Sequence, residues 1–213
     1  MIFSTKLSSA LTTAVAIFAG VALFCGCEDG GGGDDDVGDN DKNLVICVGD
    51  SITQGYACDG APYPSQLAGM TGKSVRNMGV NGARAGTGAS KISSQLSCKP
   101  GYVCILYGAN DAICGGGAGS VKENIRAIIV ACKNNHSIPI VATTPPMIKG
   151  HSTYNGAARA VNEAIRSVAS EEGARLVDLY GAFGSGEAYL VEDGLHPNAA
   201  GAALIAQCFA GAL

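Results

Sequence analysis

The chain has 213 residues, 47% of them hydrophobic and 15% charged, with a formal net charge of −4. These proportions suit one ordinary domain with a sizeable core and exclude disorder throughout. The acidity is local: seven of the 18 acidic residues lie in 28–43, and from Leu44 onward eleven acids face twelve Lys and Arg, with no basic stripe interleaved with aromatics that would mark a nucleic-acid partner.

At the amino end, Lys6 precedes an uncharged segment over 7–27 whose apolar heart is 11–24. Residues 1–26 read as a secretory signal. A spanning helix needs roughly 20 apolar residues, and this core is shorter and broken by Thr12, Thr13 and Gly20. The end of the segment, Phe24-Cys25-Gly26-Cys27, resembles a bacterial lipoprotein signal, in which cleavage just before a cysteine is followed by its acylation. Gly26 meets the small-residue requirement, whereas Phe24 replaces the usual aliphatic residue. The resemblance implies a lipid anchor on Cys27 as the only membrane attachment, and a location at the bacterial cell envelope or surface; simple secretion is the alternative. Residues 27–43 are Gly and Asp with almost no apolar side chains, so they read as a flexible, self-repelling tether. Asp34, Asp35 and Asp36 are adjacent rather than alternating, unlike a calcium loop, and are expected to be solvated.

From residue 44 the pattern alternates. Strands are expected over 44–48, 74–78, 102–107, 138–143 and 175–179, and helices over 61–70, 87–96, 120–134, 156–172 and 198–212. Each crossover helix must return over the sheet to begin the next strand in the same direction. The expected fold is therefore α/β: a single three-layer α/β/α domain, 44–213, around a five-stranded parallel sheet. In such a sheet functional groups gather at the carboxyl ends of the strands. Ser51, the stretch 77–82, the stretch 108–111 and the stretch 143–152 all fall there, and Asp193 and His196 precede the last helix.

Nine cysteines, in an exported chain, raise the question of disulfides. Setting aside Cys25 and Cys27 leaves seven, so at least one is unpaired. Cys58 and Cys114 fall in rim loops after neighbouring strands, and Cys98 and Cys132 toward the opposite edge; these are the two expected bridges. Cys47 and Cys104 read as small buried hydrophobes.

A serine after a strand is most often a helix cap. Here Gly49-Asp50-Ser51-Ile52-Thr53 is joined by NMGVNG at 77–82, GAND at 108–111 and DGLHP at 193–197, in that order. These four blocks resemble those of the SGNH, or GDSL, hydrolase family. The sequence is distinct from the GxSxG elbow, because Thr53 and not glycine lies two residues after Ser51. The resemblance implies a flavodoxin-like SGNH hydrolase fold and a set of roles. Ser51 would be the nucleophile, His196 its base and Asp193 the orienting acid; the backbone amides of Ser51 and Gly82 and the side chain of Asn110 would be the oxyanion donors. Gly82 is preferred to Gly79 because the family glycine closes its block, five residues after an asparagine such as Asn77. The chemistry needs these types: a serine hydroxyl is a weak nucleophile until an imidazole takes its proton and a carboxylate steadies the ring. Asp50 and Asp111 are expected to hold loop amides rather than to act as a glycosidase pair. His136 and His151 are expected to have no catalytic part.

The resemblance implies a serine esterase with no metal and no organic cofactor, acting as a monomer on a small acyl ester. Exposure outside the cell on a flexible tether favours short-chain or acetyl esters of carbohydrate. Lysophospholipid or thioester hydrolysis is the alternative, and a tethered binding module without turnover is the alternative from another class.

Overall fold

The computed structural model describes residues 35–213. The expected signal segment, Cys27, and the tether up to residue 34 lie outside the described residues. Five strands, β1 (Asp41–Gly49), β2 (Ser74–Gly79), β3 (Pro100–Leu106), β4 (Ile138–Ala142) and β5 (Arg175–Val177), form one sheet in the order β2-β1-β3-β4-β5. Every pairing is parallel. That order is the flavodoxin-like one, with its reversal of winding direction beside β1.

Helices cover both faces. They are α1 (Ser51–Gln54), α2 (Tyr63–Thr71), α3 (Ala85–Gln95), α4 (Ala109–Ile113), α5 (Ala118–Asn134), α6 (Asn155–Glu171), α7 (Leu179–Phe183) and α8 (Ala199–Ala210). One layer is α2 packed on α8, and the other is α5 flanked by α3 and α6. The sequence patterns have the corresponding physical cause. β3 is an unbroken apolar run because it is covered on both sides, and all seven of its residues are buried. The edge strand β2 has no fully buried residue. On α5, Val121, Ile125, Ile128, Ile129 and Cys132 recur at helical spacing and are all buried. Tyr63 of α2 stacks on Phe209 of α8, with ring centroids 5.4 Å apart. Full burial of each such side chain is worth about 1.5 to 3 kcal/mol.

The long elements match expectation to within a few residues. The three one-turn helices α1, α4 and α7 were not expected, since four or five residues are too few to show a hydrophobic period. Leu179, expected to end the last strand, instead begins α7, because the Asp178 side chain caps that turn through the Gly181 amide.

Two expectations are corrected. The expected boundary at Leu44 falls inside β1, which begins at Asp41. Residues 35–43 pack along the amino-terminal edge of the sheet: Val37 is 1% exposed, Asp35 pairs with Arg175 at 2.5 Å and accepts the Tyr102 hydroxyl at 2.9 Å, and Asn40 donates to the Asn135 carbonyl at 2.6 Å. One apolar residue and one well-placed acid suffice to dock a segment whose composition reads as flexible.

The expected Cys58–Cys114 and Cys98–Cys132 bridges are absent: no disulfide joins any of the seven cysteines among the described residues. A disulfide requires the side-chain vectors to converge, which proximity of loops does not ensure. The Cys58 thiol turns to the Ala61 carbonyl at 3.9 Å and the Cys98 thiol to the Gln95 carbonyl at 3.3 Å. Cys114 is exposed, whereas Cys132 is buried within α5, where burial pushes its thiol up to about 12.

Candidate active site

Ser51 is the first residue of α1, immediately after β1. The turn is made by Asp50, whose Oδ1 accepts the Ile52 amide at 2.9 Å, and it closes when the amides of Gly55 and Tyr56 donate to the Ser51 carbonyl at 2.9 and 3.0 Å. Standing first in the helix, the Ser51 amide has no intrahelical acceptor and is free to serve a ligand oxygen.

Asp193 and His196 lie 145 residues further along the chain for the His–Ser pair, in the loop before α8. That loop is shaped by its own acid: Asp193 Oδ1 accepts the Leu195 and His196 amides at 2.8 and 3.0 Å, which leaves Oδ2 for His196 Nδ1 at 2.5 Å. His196 Nε2 is 3.0 Å from Ser51 Oγ. Burial works against the Asp193 carboxylate, but the His196 ring and the two amides outweigh it and hold its pKa below the usual carboxylate range. An ionised carboxylate only accepts, so Nδ1 carries a hydrogen; in the neutral ring that a general base requires, Nε2 then presents its lone pair to the Ser51 hydroxyl. Ser51 is 5% and His196 8% exposed, which removes most competing water from this relay.

Asn110, in α4 at the end of β3, donates from Nδ2 to the Ala83 carbonyl at 3.0 Å and toward Asp50 Oδ2 at 3.4 Å. It therefore bridges the Ser51 turn and the loop that contains Gly82. The two candidate glycines separate clearly. A side chain at Gly79 would run into the backbone of Gln54 and Thr53, so that glycine serves the close packing of β2 on α1. Gly82 has φ of +72°, which favours glycine, and nothing lies within 4 Å of where its side chain would be.

Asp50 and Asp111 do structural work, as expected. Asp111 Oδ2 accepts the Ala85 amide at 3.0 Å and holds the start of α3. Burial, aided by the neighbouring Asp111 charge, pushes Asp50 up to about 7 despite the Ile52 hydrogen bond. Burial also raises Asp111, against the opposing pull of the Ala85 amide and Arg84.

The structure adds two residues to the expected set. His151, in the loop after β4, has its Nδ1 2.7 Å from the carbonyl of Asp193, and the nearby Ile148 amide donates to the Gly194 carbonyl at 2.9 Å. This loop thereby straps the segment that carries the acid. Nothing local to His151 signals that contact, which spans 42 residues of chain. The second is Tyr56, whose ring stands 5.0 Å from that of His196. His136 lies elsewhere, beside Gly38 at the opposite edge of the sheet.

The model of the GDSL-like Lipase/Acylhydrolase family matches residues 47–204, a stretch that contains every residue of this site. An acetylxylan esterase of Xylanibacter ruminicola is 26% identical over 211 residues, covering 81% of this chain; the chain spans 43% of that protein's length. A G-D-S-L family protein from Desulfitobacterium hafniense is 25% identical with a TM-score of 0.71, over 81% of this chain and 100% of that one. An acetyl xylan esterase from Geobacillus stearothermophilus shares the fold at 20% identity, with a TM-score of 0.69 over 80% of this chain and 94% of the other.

Proposed function

The chain belongs to the GDSL-like lipase/acylhydrolase family, and from that premise we propose that it is a serine esterase releasing acetyl or other short acyl groups from carbohydrate. The observation that carries the reading is the continuous chain of hydrogen bonds from Ser51 Oγ through His196 to an ionised Asp193. In this reading Ser51 attacks the ester carbonyl carbon as His196 Nε2 takes its proton, and Asp193 balances the positive charge that develops on the ring. The amides of Ser51 and Gly82 and the Nδ2 group of Asn110 receive the oxyanion; each such donor is typically worth about 100- to 1,000-fold in rate. His196 then gives its proton to the alcohol oxygen as the carbon–oxygen bond breaks. Water, deprotonated by the same imidazole, attacks the acyl-enzyme and regenerates Ser51.

The choice of acetylated carbohydrate is supported by the acetylxylan esterases to which the chain is similar. Export, with acylation of Cys27 at the end of the 1–26 segment, is part of the same proposal and is supported by the sequence around Gly26 and Cys27. The test is hydrolysis of p-nitrophenyl acetate and of acetylated xylan by the wild-type protein and by Ser51→Ala. Turnover in the wild type, with loss of at least three orders of magnitude in the variant, is expected. Equal rates in the two proteins, or none in the wild type, would reject the mechanism.

A further inference from the structure

Tyr56 takes no part in the steps above, yet it is a large ring held half in solvent, 54% exposed, beside the catalytic imidazole. The two rings meet edge to face, at 63° and 5.0 Å. The position is constrained from both ends of the loop. The Tyr56 amide donates to the carbonyl of Ser51 itself at 3.0 Å, and Asp59, three residues on, accepts the Ala199 amide at the start of α8 at 2.6 Å. Beside the ring lies only a small crevice of about 10 Å³, which Tyr56 shares with Ile52, Pro62, Tyr63, Pro197 and Ile205. Its walls thus begin one residue beyond Ser51 and one residue beyond His196.

The chemistry says which half of the substrate this surface meets. His196 delivers its proton to the leaving oxygen, so the alcohol must lie against the imidazole, whereas the acyl oxygen turns toward Gly82 and Asn110. Whatever flanks His196 flanks the alcohol. We propose that the exposed ring of Tyr56 forms the alcohol-side subsite, as a platform at the surface and not as a cavity, and that its ligand is a pyranose ring seated with its C–H face on the phenol ring. A sugar ring has one apolar face and a wet, hydroxylated perimeter; a half-exposed tyrosine offers the complementary arrangement, an apolar face and a polar tip. This inference rests on the esterase reading and extends it by assigning the residue that selects the alcohol.

The test compares two acetyl esters that differ only in the alcohol: an acetylated methyl xylopyranoside and ethyl acetate, whose alcohol has no ring face. The ratio of their kcat/KM values is expected to fall about tenfold in Tyr56→Ala and to stay within about threefold of wild type in Tyr56→Phe. An unchanged ratio in Tyr56→Ala, or an equal fall in Tyr56→Phe, overturns the subsite. If the wild-type protein hydrolyses neither ester, it is the esterase reading that fails. The subsite is then read without turnover by saturation-transfer NMR of the same xyloside on Ser51→Ala and on Ser51→Ala with Tyr56→Ala. Transfer to the sugar C–H protons in the first protein that is lost in the second supports the proposal; equal transfer in both, or none in either, overturns it.

Discussion

Asp50→Asn tests whether a buried carboxyl beside the nucleophile weakens the fold it helps to shape. Asp50 is 1% exposed and has its ordinary pKa of 3.8 pushed up to about 7, first by burial and then by the Asp111 charge. Between these values the native protein holds a proton that the unfolded chain has released. Stability therefore falls as pH rises through that window and levels off above about pH 7, where both states are ionised. Three pKa units at 1.36 kcal/mol each give a loss of about 4 kcal/mol between pH 4 and pH 8. Asparagine cannot ionise but keeps a side-chain oxygen for the Ile52 amide. Its altered contact with Asn110 adds an offset that does not depend on pH. The assay is urea unfolding of both proteins at several pH values from 4 to 8, with the difference in unfolding free energy plotted against pH. Titrations that do not sense Asp50, that of Asp193 included, cancel in the difference; that of Asp111, whose charge acts on Asp50, leaves a smaller residual. The expected result is a variant that gains about 4 kcal/mol on the wild type from the acid to the alkaline end. A difference that stays constant with pH would refute the reasoning, and one that falls would mean that Asp50 is held as a stabilised carboxylate.

Two further outcomes follow from the same contacts. His151→Ala removes the hydrogen bond to the Asp193 carbonyl; kcat should fall about tenfold through displacement of the acid–base pair, with a stability loss of about 1 kcal/mol, and unchanged kcat would deny the loop its positioning role. Val37→Ala should cost about 1.5 kcal/mol in thermal or urea unfolding, because two buried carbon groups are lost, while ester turnover is retained at the far end of the sheet; no loss of stability would mean that residues 35–43 behave as the tether their composition suggests.

The elements that were legible in the sequence are those whose signal is local. β3 is a continuous apolar run because neighbours within a few residues share one buried environment, and α5 shows its helical period because one face meets the sheet. The short helices carry no such period, and the docking of 35–43 depends on Arg175 and Tyr102, far away in the chain. The disulfide expectation failed for a related reason: adjacent loops were inferred from strand order, but side-chain direction within them was not. The candidate nucleophile, acid and base could be named because four blocks resemble those of the SGNH, or GDSL, family; three of them sit at strand ends, which the parallel winding brings to one rim, and the fourth, with Asp193 and His196, lies in the loop before α8.

By itself, then, the sequence determined the alternation of strands and helices, the shared rim, and the residue types able to activate a serine there. Only the tertiary structure decided that His196 Nε2 lies 3.0 Å from Ser51 Oγ, that Gly79 is packed while Gly82 is open, that Asp50 titrates near neutrality, and that His151 and Tyr56 border the site. Strand and helix preferences act between near neighbours and leave their period in the chain, whereas burial and side-chain contact are set by how distant segments pack, and no local pattern records them.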